Sequence, residues 1–272
     1  MELKAFFLPA ASGQRFCLHY VPDPDIRCRG AIIHVPPFAE ELNRSRRMVA
    51  LQARAFTRAG YAVFQMDLHG CGDSSGDFGD ATWESWVADV VAACAWVRAQ
   101  HELPLCLWGL RAGSLLAAEV SQREDIDRLL FWQPVVSGAQ WLTQFLRLRV
   151  AGEMLSGEVK GIMGGLRDDL ANGRSVEIAG YMLSSSLARR LAASELTLPA
   201  RPVQACWIEM LSRPDAGASP VALQYRERWA GAGHRVQLRT VQGPAFWQTL
   251  DDVECPELID VSVAALEAME VS

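Results

Sequence analysis

The sequence lacks the patterns that mark several common classes of protein. Its seven cysteines are odd in number and include no CxxC pair, so neither a zinc site nor a disulfide framework is predicted. No apolar run reaches the length of a membrane span, and the amino terminus has no basic-then-apolar leader pattern. The net charge is −6, which favours neither nucleic acid nor an anionic membrane as a partner. We therefore expect a cytoplasmic protein with no metal, no cofactor and no nucleic-acid partner.

Apolar runs alternate with helical patterns along most of the 272 residues, half of which are hydrophobic. This alternation is typical of an α/β fold, with a central mostly parallel sheet flanked by helices. Strands are predicted at residues 5–8, 15–20, 30–35, 61–66, 104–108, 126–132, 203–211 and 234–241. Helices are predicted at residues 45–59, 82–100, 112–122, 220–230 and 257–268.

The alternation stops between residues 138 and 198, where helical patterns with scattered glycines replace the strand signals. These glycines are Gly152, Gly157, Gly161, Gly164 and Gly165. We expect segment 138–198 to form a helical cap over the carboxyl edge of the sheet, where α/β sheets bind ligands. Residues 1–137 and 199–272 would then form the core into which this cap is inserted.

A turn with two glycines, Gly109-Leu110-Arg111-Ala112-Gly113, joins a buried strand to a helix of small residues. This setting is that of a nucleophile elbow, G-x-nucleophile-x-G. In such an elbow the central residue has a strained backbone, and side chains at the glycine positions would clash with the neighbouring strand and helix. An ordinary strand–turn–helix is the alternative, but the glycine-rich loop after Met66 favours the elbow.

Two further segments carry a resemblance to known proteins. The loop 67–76, DLHGCGDSSG, resembles the D-x-x-G-x-G-x-S-x-G loop of serine esterases and lipases of the α/β-hydrolase superfamily. Residues 34–48, HVPPFAEELNRSRRM, together with the elbow, resemble the family called exosortase A system-associated hydrolase 2. The resemblance covers most of the chain and implies an α/β-hydrolase fold. It also implies a role near exopolysaccharide production or protein sorting, with a possible protein partner in that system.

The catalytic triad of that superfamily is incomplete in this sequence. Arg111 stands at the nucleophile position, and a protonated guanidinium has no lone pair with which to attack a carbonyl. After the last strand, where the histidine belongs, the chain has Phe246 and Trp247. Asp215 survives as a vestigial acid with no histidine to orient. The sequence therefore predicts that a Ser-His-Asp mechanism does not operate.

The segment that should stabilise an oxyanion has also changed. His34 is followed by Val35-Pro36-Pro37, and prolines donate no N–H. Glu40 and Glu41 bring carboxylates to the same rim. Two interpretations of Arg111 stay open. It could hold an anionic ligand at a helix amino terminus, or it could form an internal ion pair with Glu40, Glu41 or Asp215.

Other residues could contribute a site. Trp132, Gln133, Phe246 and Trp247, with Pro37 and Phe38 at the rim, could line a pocket for a glycan or an acyl chain, or could pack in the core. Ser114 could be a displaced nucleophile or an ordinary helical serine. Cys71 with His69, or a water activated by Asp73 or Glu40, could support an unorthodox ester or thioester hydrolase. Arg44, Arg46 and Arg47 could face the pocket mouth or solvent.

Overall fold

The computed structural model describes residues 1–154, 161–213, 215–249, 251 and 253–270. Its main sheet has eight strands in the order β1-β2-β4-β3-β5-β6-β9-β10. These strands are β1 (Glu2–Pro9), β2 (Gln14–Val21), β3 (Gly30–Val35), β4 (Tyr61–Met66), β5 (Leu105–Leu110), β6 (Arg128–Trp132), β9 (Gln204–Leu211) and β10 (Arg235–Gln242). All pairs from β4 to β10 are parallel, while β1–β2 and β2–β4 are antiparallel. The mostly parallel sheet expected from the sequence is confirmed.

Helices cover both faces of this sheet. They are α1 (Glu40–Arg58), α2 (Trp83–Gln100), α3 (Gly113–Ser121), α4 (Gly138–Met154), α5 (Ile162–Ala171), α6 (Ser185–Ala192), α7 (Pro220–Gly231) and α8 (Pro256–Glu270). Successive strand residues point to opposite faces, so Ile33 packs in one hydrophobic cluster and Ile32 in the other. The Ile32 cluster lies under α1 and α8, and the Ile33 cluster lies under α2 and α3.

Helix α1 begins at Glu40, five residues before the start predicted from the sequence. The sequence predicts a start at Ser45. Instead Ala39 caps the helix with φ of 53° and ψ of −130°, a backbone conformation that turns the chain sharply into α1. Glu40 and Glu41 then lie in the first helical turn, where the helix dipole favours acidic side chains. This early start places both carboxylates near the elbow.

The segment between β6 and β9 contains α4, α5 and α6, and also a hairpin that the sequence did not predict. Its strands are β7 (Val176–Ile178) and β8 (Tyr181–Leu183). The turn residues Ala179 and Gly180 both have positive φ, as a two-residue hairpin of this kind requires. An Ala-Gly pair is a weaker turn signal than Asn-Gly, which explains the omission. Residues 155–160 of the predicted cap, Gly157 among them, lie outside the described residues.

Among the described helices, none is long and apolar enough to cross a membrane.

Candidate functional site at the elbow

Arg111 occupies the sharp turn between β5 and α3, with φ of 53°. Its backbone N–H donates to the Trp132 carbonyl at 3.0 Å, and its carbonyl accepts from the N–H groups of Ser114 and Val135 at 3.0 and 3.2 Å. These hydrogen bonds hold the turn against β6 and the start of α3. A non-glycine residue with positive φ costs free energy unless its surroundings enforce it.

The two flanking glycines are required by close contacts on either side of the turn. A Cβ at Gly109 would lie 2.7 Å from the Ser114 Cα, on the following helix. A Cβ at Gly113 would clash with the carbonyl oxygens of Val35 and Pro36, at the end of β3. This is the crowding expected of a nucleophile elbow, so the chain keeps the elbow's backbone while carrying an arginine at its centre.

Strained backbone is concentrated around Arg111. The described residues include four non-glycine positions with positive φ, and three of them, Ala39, Arg111 and Gln133, surround the elbow. The fourth, Ala179, is in the β7–β8 turn. Strained residues of this kind cluster at functional sites, where the surrounding structure enforces them. The backbone around the elbow therefore has the strained conformations that are common at functional sites.

The Arg111 side chain lies in a nearly closed environment. Its Nε donates to Glu41 Oε1 at 3.0 Å, and its Nη1 donates to the Gln133 carbonyl at 3.5 Å. The guanidinium carbon lies 5.4 Å from the centre of the Trp247 ring, within reach of a cation–π interaction. Only 12% of the Arg111 side chain and 8% of the Glu41 side chain are exposed. The ion pair of Arg111 is therefore with Glu41.

Trp141, on α4, completes the surroundings of Glu41. Its Nε1 donates to Glu41 Oε2 at 3.4 Å, so each carboxylate oxygen has a donor. Its ring stacks on Phe145 at 5.1 Å and meets Phe38 edge-on at 5.8 Å. Trp141 is not among the site residues predicted from the sequence. The spacing of Trp141 and Phe145, which places them on one side of a helix, was the available signal.

A cavity of about 220 Å³ opens beside the ion pair, and we call it the elbow cavity. Its polar lining is Glu40, Glu41, Arg44, Arg111, Gln144 and Gln248, and its apolar lining is Trp141, Phe145 and Leu148. Helices α4 and α1 thus supply most of the lining. The lining carries both signs of charge beside an apolar strip, which suits a small amphipathic molecule.

Glu40 and Arg44 differ in how their charges are satisfied. Burial raises the pKa of the Glu40 carboxyl, and the charge of Glu41 raises it further. Glu40 Oε2 has no hydrogen-bond partner among the described residues. The Arg44 guanidinium donates to the Gln248 carbonyl at 3.1 Å, which places Arg44 at the cavity, as one of the two interpretations expected.

The structure does not assemble the alternative nucleophiles into a reactive site. Ser114 is fully buried, and its Oγ donates to the Gly109 carbonyl at 3.2 Å. Burial raises the pKa of the Cys71 thiol to about 12, with the charges of Asp67 and Asp89 adding to the effect. A thiol with so high a pKa is almost entirely protonated at neutral pH and is a weak nucleophile.

His69 and the two aspartates are also placed elsewhere. The His69 ring lies within hydrogen-bond distance of Ser12 Oγ and Ser85 Oγ, at 3.3 and 3.4 Å, so its described partners are serines rather than Cys71. Asp73 and Asp215 are exposed. Neither aspartate lines the elbow cavity.

The aromatic residues proposed for a pocket lie mainly in the core. Trp132 and Phe246 are 1% and 2% exposed, and Trp132 Nε1 donates to Ser262 Oγ at 2.8 Å. Both residues therefore pack in the core, which is one of the two alternatives left open by the sequence. Trp247 is also buried, but its ring lies against the Arg111 guanidinium.

The remaining predicted site residues, Gln133, Pro37 and Phe38, lie around the elbow without lining its cavity. Gln133 Oε1 accepts from the Met210 N–H at 2.6 Å, which ties the end of β6 to β9. Phe38 is buried, 4.4 Å from the Trp86 ring. Pro37 lines a different cavity, between α1 and the sheet.

No group of three or more metal-ligating side chains occurs within the part of the chain that the structure describes.

The sequence of this chain matches a known family. A family model described as "Serine aminopeptidase, S33" matches residues 27–168, just over half of the chain. No curated protein sequence matches the chain significantly.

Solved structures with the same fold cover almost the whole chain at low identity. Est1E from Butyrivibrio proteoclasticus, with ferulic acid bound, has a TM-score of 0.66 at 16% identity, with 98% of each chain covered. A carboxyl esterase from Bacillus coagulans in complex with glycerol has a TM-score of 0.66 at 15% identity, with 99% of each chain covered. A serine hydrolase without a lid from Xanthomonas campestris, XC6422, has a TM-score of 0.60 at 15% identity, covering 99% of this chain and 94% of its own. At these identities the likeness concerns the fold.

Proposed function

Because this chain belongs to the serine aminopeptidase S33 family of α/β hydrolases, we propose that it is a member that binds a ligand without Ser-His-Asp turnover. One observation carries the proposal: the nucleophile position holds Arg111, whose guanidinium is ion-paired with Glu41. An arginine cannot attack a carbonyl, and the segment after β10 has no histidine to serve as a base.

The proposed ligand is small and anionic, with a glycan or acyl portion. In the Arg111 guanidinium, Nε donates to Glu41 and Nη1 donates to the Gln133 carbonyl. Nη2 has no hydrogen-bond partner among the described residues. Arg44 lines the same cavity. The ion pair with Glu41 therefore leaves donors for a carboxylate or phosphate group, while Trp141 and Phe145 offer an apolar surface to the rest of the ligand.

The biological setting is part of the proposal. The resemblance of residues 34–48 and of the elbow to exosortase A system-associated hydrolase 2 supports a role beside exopolysaccharide production or protein sorting. A protein partner from such a system is the corresponding expectation. We also propose that the protein acts in the cytoplasm, and its seven unpaired cysteines support a reducing compartment.

A second candidate function is hydrolysis of an ester or thioester by a water activated at Glu40. Membership of a hydrolase family supports it, as does the raised pKa of the Glu40 carboxyl inside the elbow cavity, because catalytic bases often have shifted pKa values. The elbow lacks oxyanion donors from Pro36 and Pro37, which counts against this candidate.

Turnover assays separate the two candidates. Nitrophenyl esters and acyl thioesters of varied chain length would be incubated with wild type, Arg111→Ala, Cys71→Ala and Glu40→Gln, each purified away from host esterases. We expect no turnover above buffer from any of them. Turnover by wild type that is lost in one variant would overturn the non-catalytic proposal and identify the reacting group.

Calorimetry tests the binding proposal. Short-chain carboxylates, acyl phosphates and glucuronate would be titrated into wild type and into Gln144→Trp, which narrows the elbow cavity from an exposed position of α4. Ala139→Phe, also exposed on α4 but outside the cavity lining, is the matched control. Binding to wild type and the control but not to Gln144→Trp is expected. Equal affinity for all three proteins would place the ligand elsewhere.

A further inference from the structure

A second cavity, of about 230 Å³, lies between α1 and the strands β2, β3 and β4. We call it the α1 cavity. It shares no lining residue with the elbow cavity. Helix α1 separates the two: Leu42, Ser45, Arg46 and Val49 form a stripe facing the α1 cavity, while Glu40, Glu41 and Arg44 line the elbow cavity.

The walls of the α1 cavity are mainly apolar. Phe16 and Leu18 come from β2, Met66 from the end of β4, and Leu42 and Val49 from α1. At the carboxyl end of β4, Asp67 is paired with Arg46, whose Nη2 lies 3.3 and 3.4 Å from the two carboxylate oxygens. This pair puts opposite charges at one end of the cavity, so the cavity attracts neither anions nor cations strongly.

His34 is the unexplained polar group of this cavity. The ring lines the cavity and is 6% exposed, and its Nδ1 has no hydrogen-bond partner among the described residues. Burial lowers the pKa of the imidazole to about 3, so the ring is neutral at working pH. Two other polar side chains of the lining are satisfied by the protein: Ser45 Oγ donates to the Leu42 carbonyl and Gln65 Nε2 to the Val49 carbonyl.

A buried polar group without a partner costs free energy, so a histidine here needs a reason. The centre of the Trp108 ring lies 4.4 Å from that of His34, and the nearby polar side chains of the lining are engaged elsewhere: Gln65 Nε2 donates to the Val49 carbonyl and Arg46 Nη2 to Asp67. A hydroxyl group fits a neutral imidazole in either tautomer, because a hydroxyl can both donate and accept. The hydrophobic walls fit the carbon skeleton of such a molecule.

We propose that the α1 cavity is a second binding site, for a small uncharged molecule whose hydroxyl hydrogen-bonds the imidazole of His34 and whose apolar body packs against Phe16, Leu18 and Leu42. Phenol and cyclohexanol are suitable probes. Benzoate matches phenol in its ring but carries a full negative charge, which a neutral imidazole in a mainly apolar cavity does not favour. The site thus selects against the anions expected in the elbow cavity.

The imidazole signals of the five histidines, recorded by nitrogen–proton correlation spectroscopy, provide the first test. Phenol should shift the His34 signal, identified by its loss in His34→Phe, in a saturable manner, and benzoate should not. Phenol affinity should fall about fivefold in His34→Phe, as expected for one lost hydrogen bond, while toluene affinity should hold or rise.

Ala50→Phe places a ring in the cavity from α1 and should abolish phenol binding, whereas Ala139→Phe, exposed on α4, should leave it unchanged. Circular dichroism would establish that the variants fold. If Ala50→Phe does not fold, the phenol-dependent shift of the His34 signal in wild type decides the question. Absence of any phenol-dependent shift of His34 would overturn the proposal and leave ordered water as the occupant. Equal phenol binding by wild type, Ala50→Phe and His34→Phe would overturn it as well.

Discussion

At Arg111 the chain combines two unfavourable features, a left-handed backbone and a nearly buried charge. A strained residue of this kind costs about 1–3 kcal/mol, and the surrounding structure must enforce it. The burial of the guanidinium is offset by Glu41, the Gln133 carbonyl and the Trp247 ring. The internal contacts of Arg111 therefore contribute to stability in addition to any part that the residue has in binding.

The Arg111–Glu41 pair can be tested by a double-mutant cycle. Arg111→Met leaves a buried carboxylate without its counter-charge, so it should lower the free energy of unfolding by about 3 kcal/mol or more. Adding Glu41→Gln removes that charge and should restore at least half of the loss. Urea denaturation of the wild type, both single variants and the double variant measures the coupling. Strictly additive effects would show that the two side chains do not interact.

Glu40 gives a pH-dependent prediction. The pKa of its carboxyl is raised in the folded protein, so the folded state holds this proton more tightly than the unfolded chain does. The protonated Glu40 carboxyl therefore stabilises the folded protein at pH values below 4.5, the pKa of this group in the unfolded chain. This contribution is lost as the pH rises through the higher pKa of the folded state. Glu40→Gln should be more stable than wild type at pH 8 and equal to it at pH 4.

Chemical denaturation at the two pH values measures this difference. Glu227→Gln, at a side chain that is 74% exposed, is the matched control and should change stability by less than about 0.5 kcal/mol at either pH. If Glu40→Gln and Glu227→Gln behave alike at pH 8, Glu40 is not desolvated in solution.

At the scale of elements, the elbow depends on how closely α3 approaches β3. Gly113→Ala places a methyl group against the Val35 and Pro36 carbonyls, which are backbone atoms that cannot rotate away. The unfolding free energy should fall by about 2 kcal/mol. Gly164→Ala, in an exposed part of α5 with no atom within 4 Å of the added methyl group, should instead gain about 0.5–1 kcal/mol. Thermal unfolding of both variants checks this contrast, and a tolerated Gly113→Ala would contradict the close packing.

The elements that could be predicted from sequence are those with strong local signals. The bounds of β3 and β4 agree with the prediction, since both are buried apolar runs that begin beside a glycine and end at a loop. The positive φ of Arg111 and the crowding at Gly109 and Gly113 follow from the elbow pattern. These features are determined within a few residues of the chain.

The features that could not be predicted depend on contacts between distant parts of the chain. The partner of Arg111 could have been Glu40, Glu41 or Asp215, and the early start of α1 decides which carboxylate faces the elbow. The α1 cavity is a gap between α1 and three strands, and no local pattern encodes a gap. Trp141 approaches Glu41 only because α4 folds back over the elbow.

At the scale of the whole molecule, two buried histidines lie on opposite faces of the sheet and should make the fold sensitive to acid. His34 packs against Trp108 and Phe56 packs edge-on to the same indole, on the face covered by α1. His19 packs against Trp96 of α2, on the other face. Burial lowers the pKa of His34 to about 3, and burial together with the nearby charge of His101 lowers the pKa of His19 to about 4.

These lowered pKa values set the sign and the range of the acid sensitivity. The unfolded chain gains a proton at each histidine as pH falls below about 6.5, whereas the folded protein resists until pH approaches 4 and then 3. The contribution of the two histidines to stability should therefore be complete above pH 7, and as the pH falls it should decrease by up to about 1.4 kcal/mol per pH unit for each histidine.

Urea denaturation at pH 7, 6 and 5 would compare the slopes of wild type, His19→Phe, His34→Phe and the double variant. Each substitution should flatten the dependence on pH. Because the two rings lie in separate clusters, the double variant should show the sum of the two changes. The comparison uses slopes, so a difference in packing that is the same at every pH does not affect it. A wild-type slope retained in both single variants would show that other groups cause the acid sensitivity.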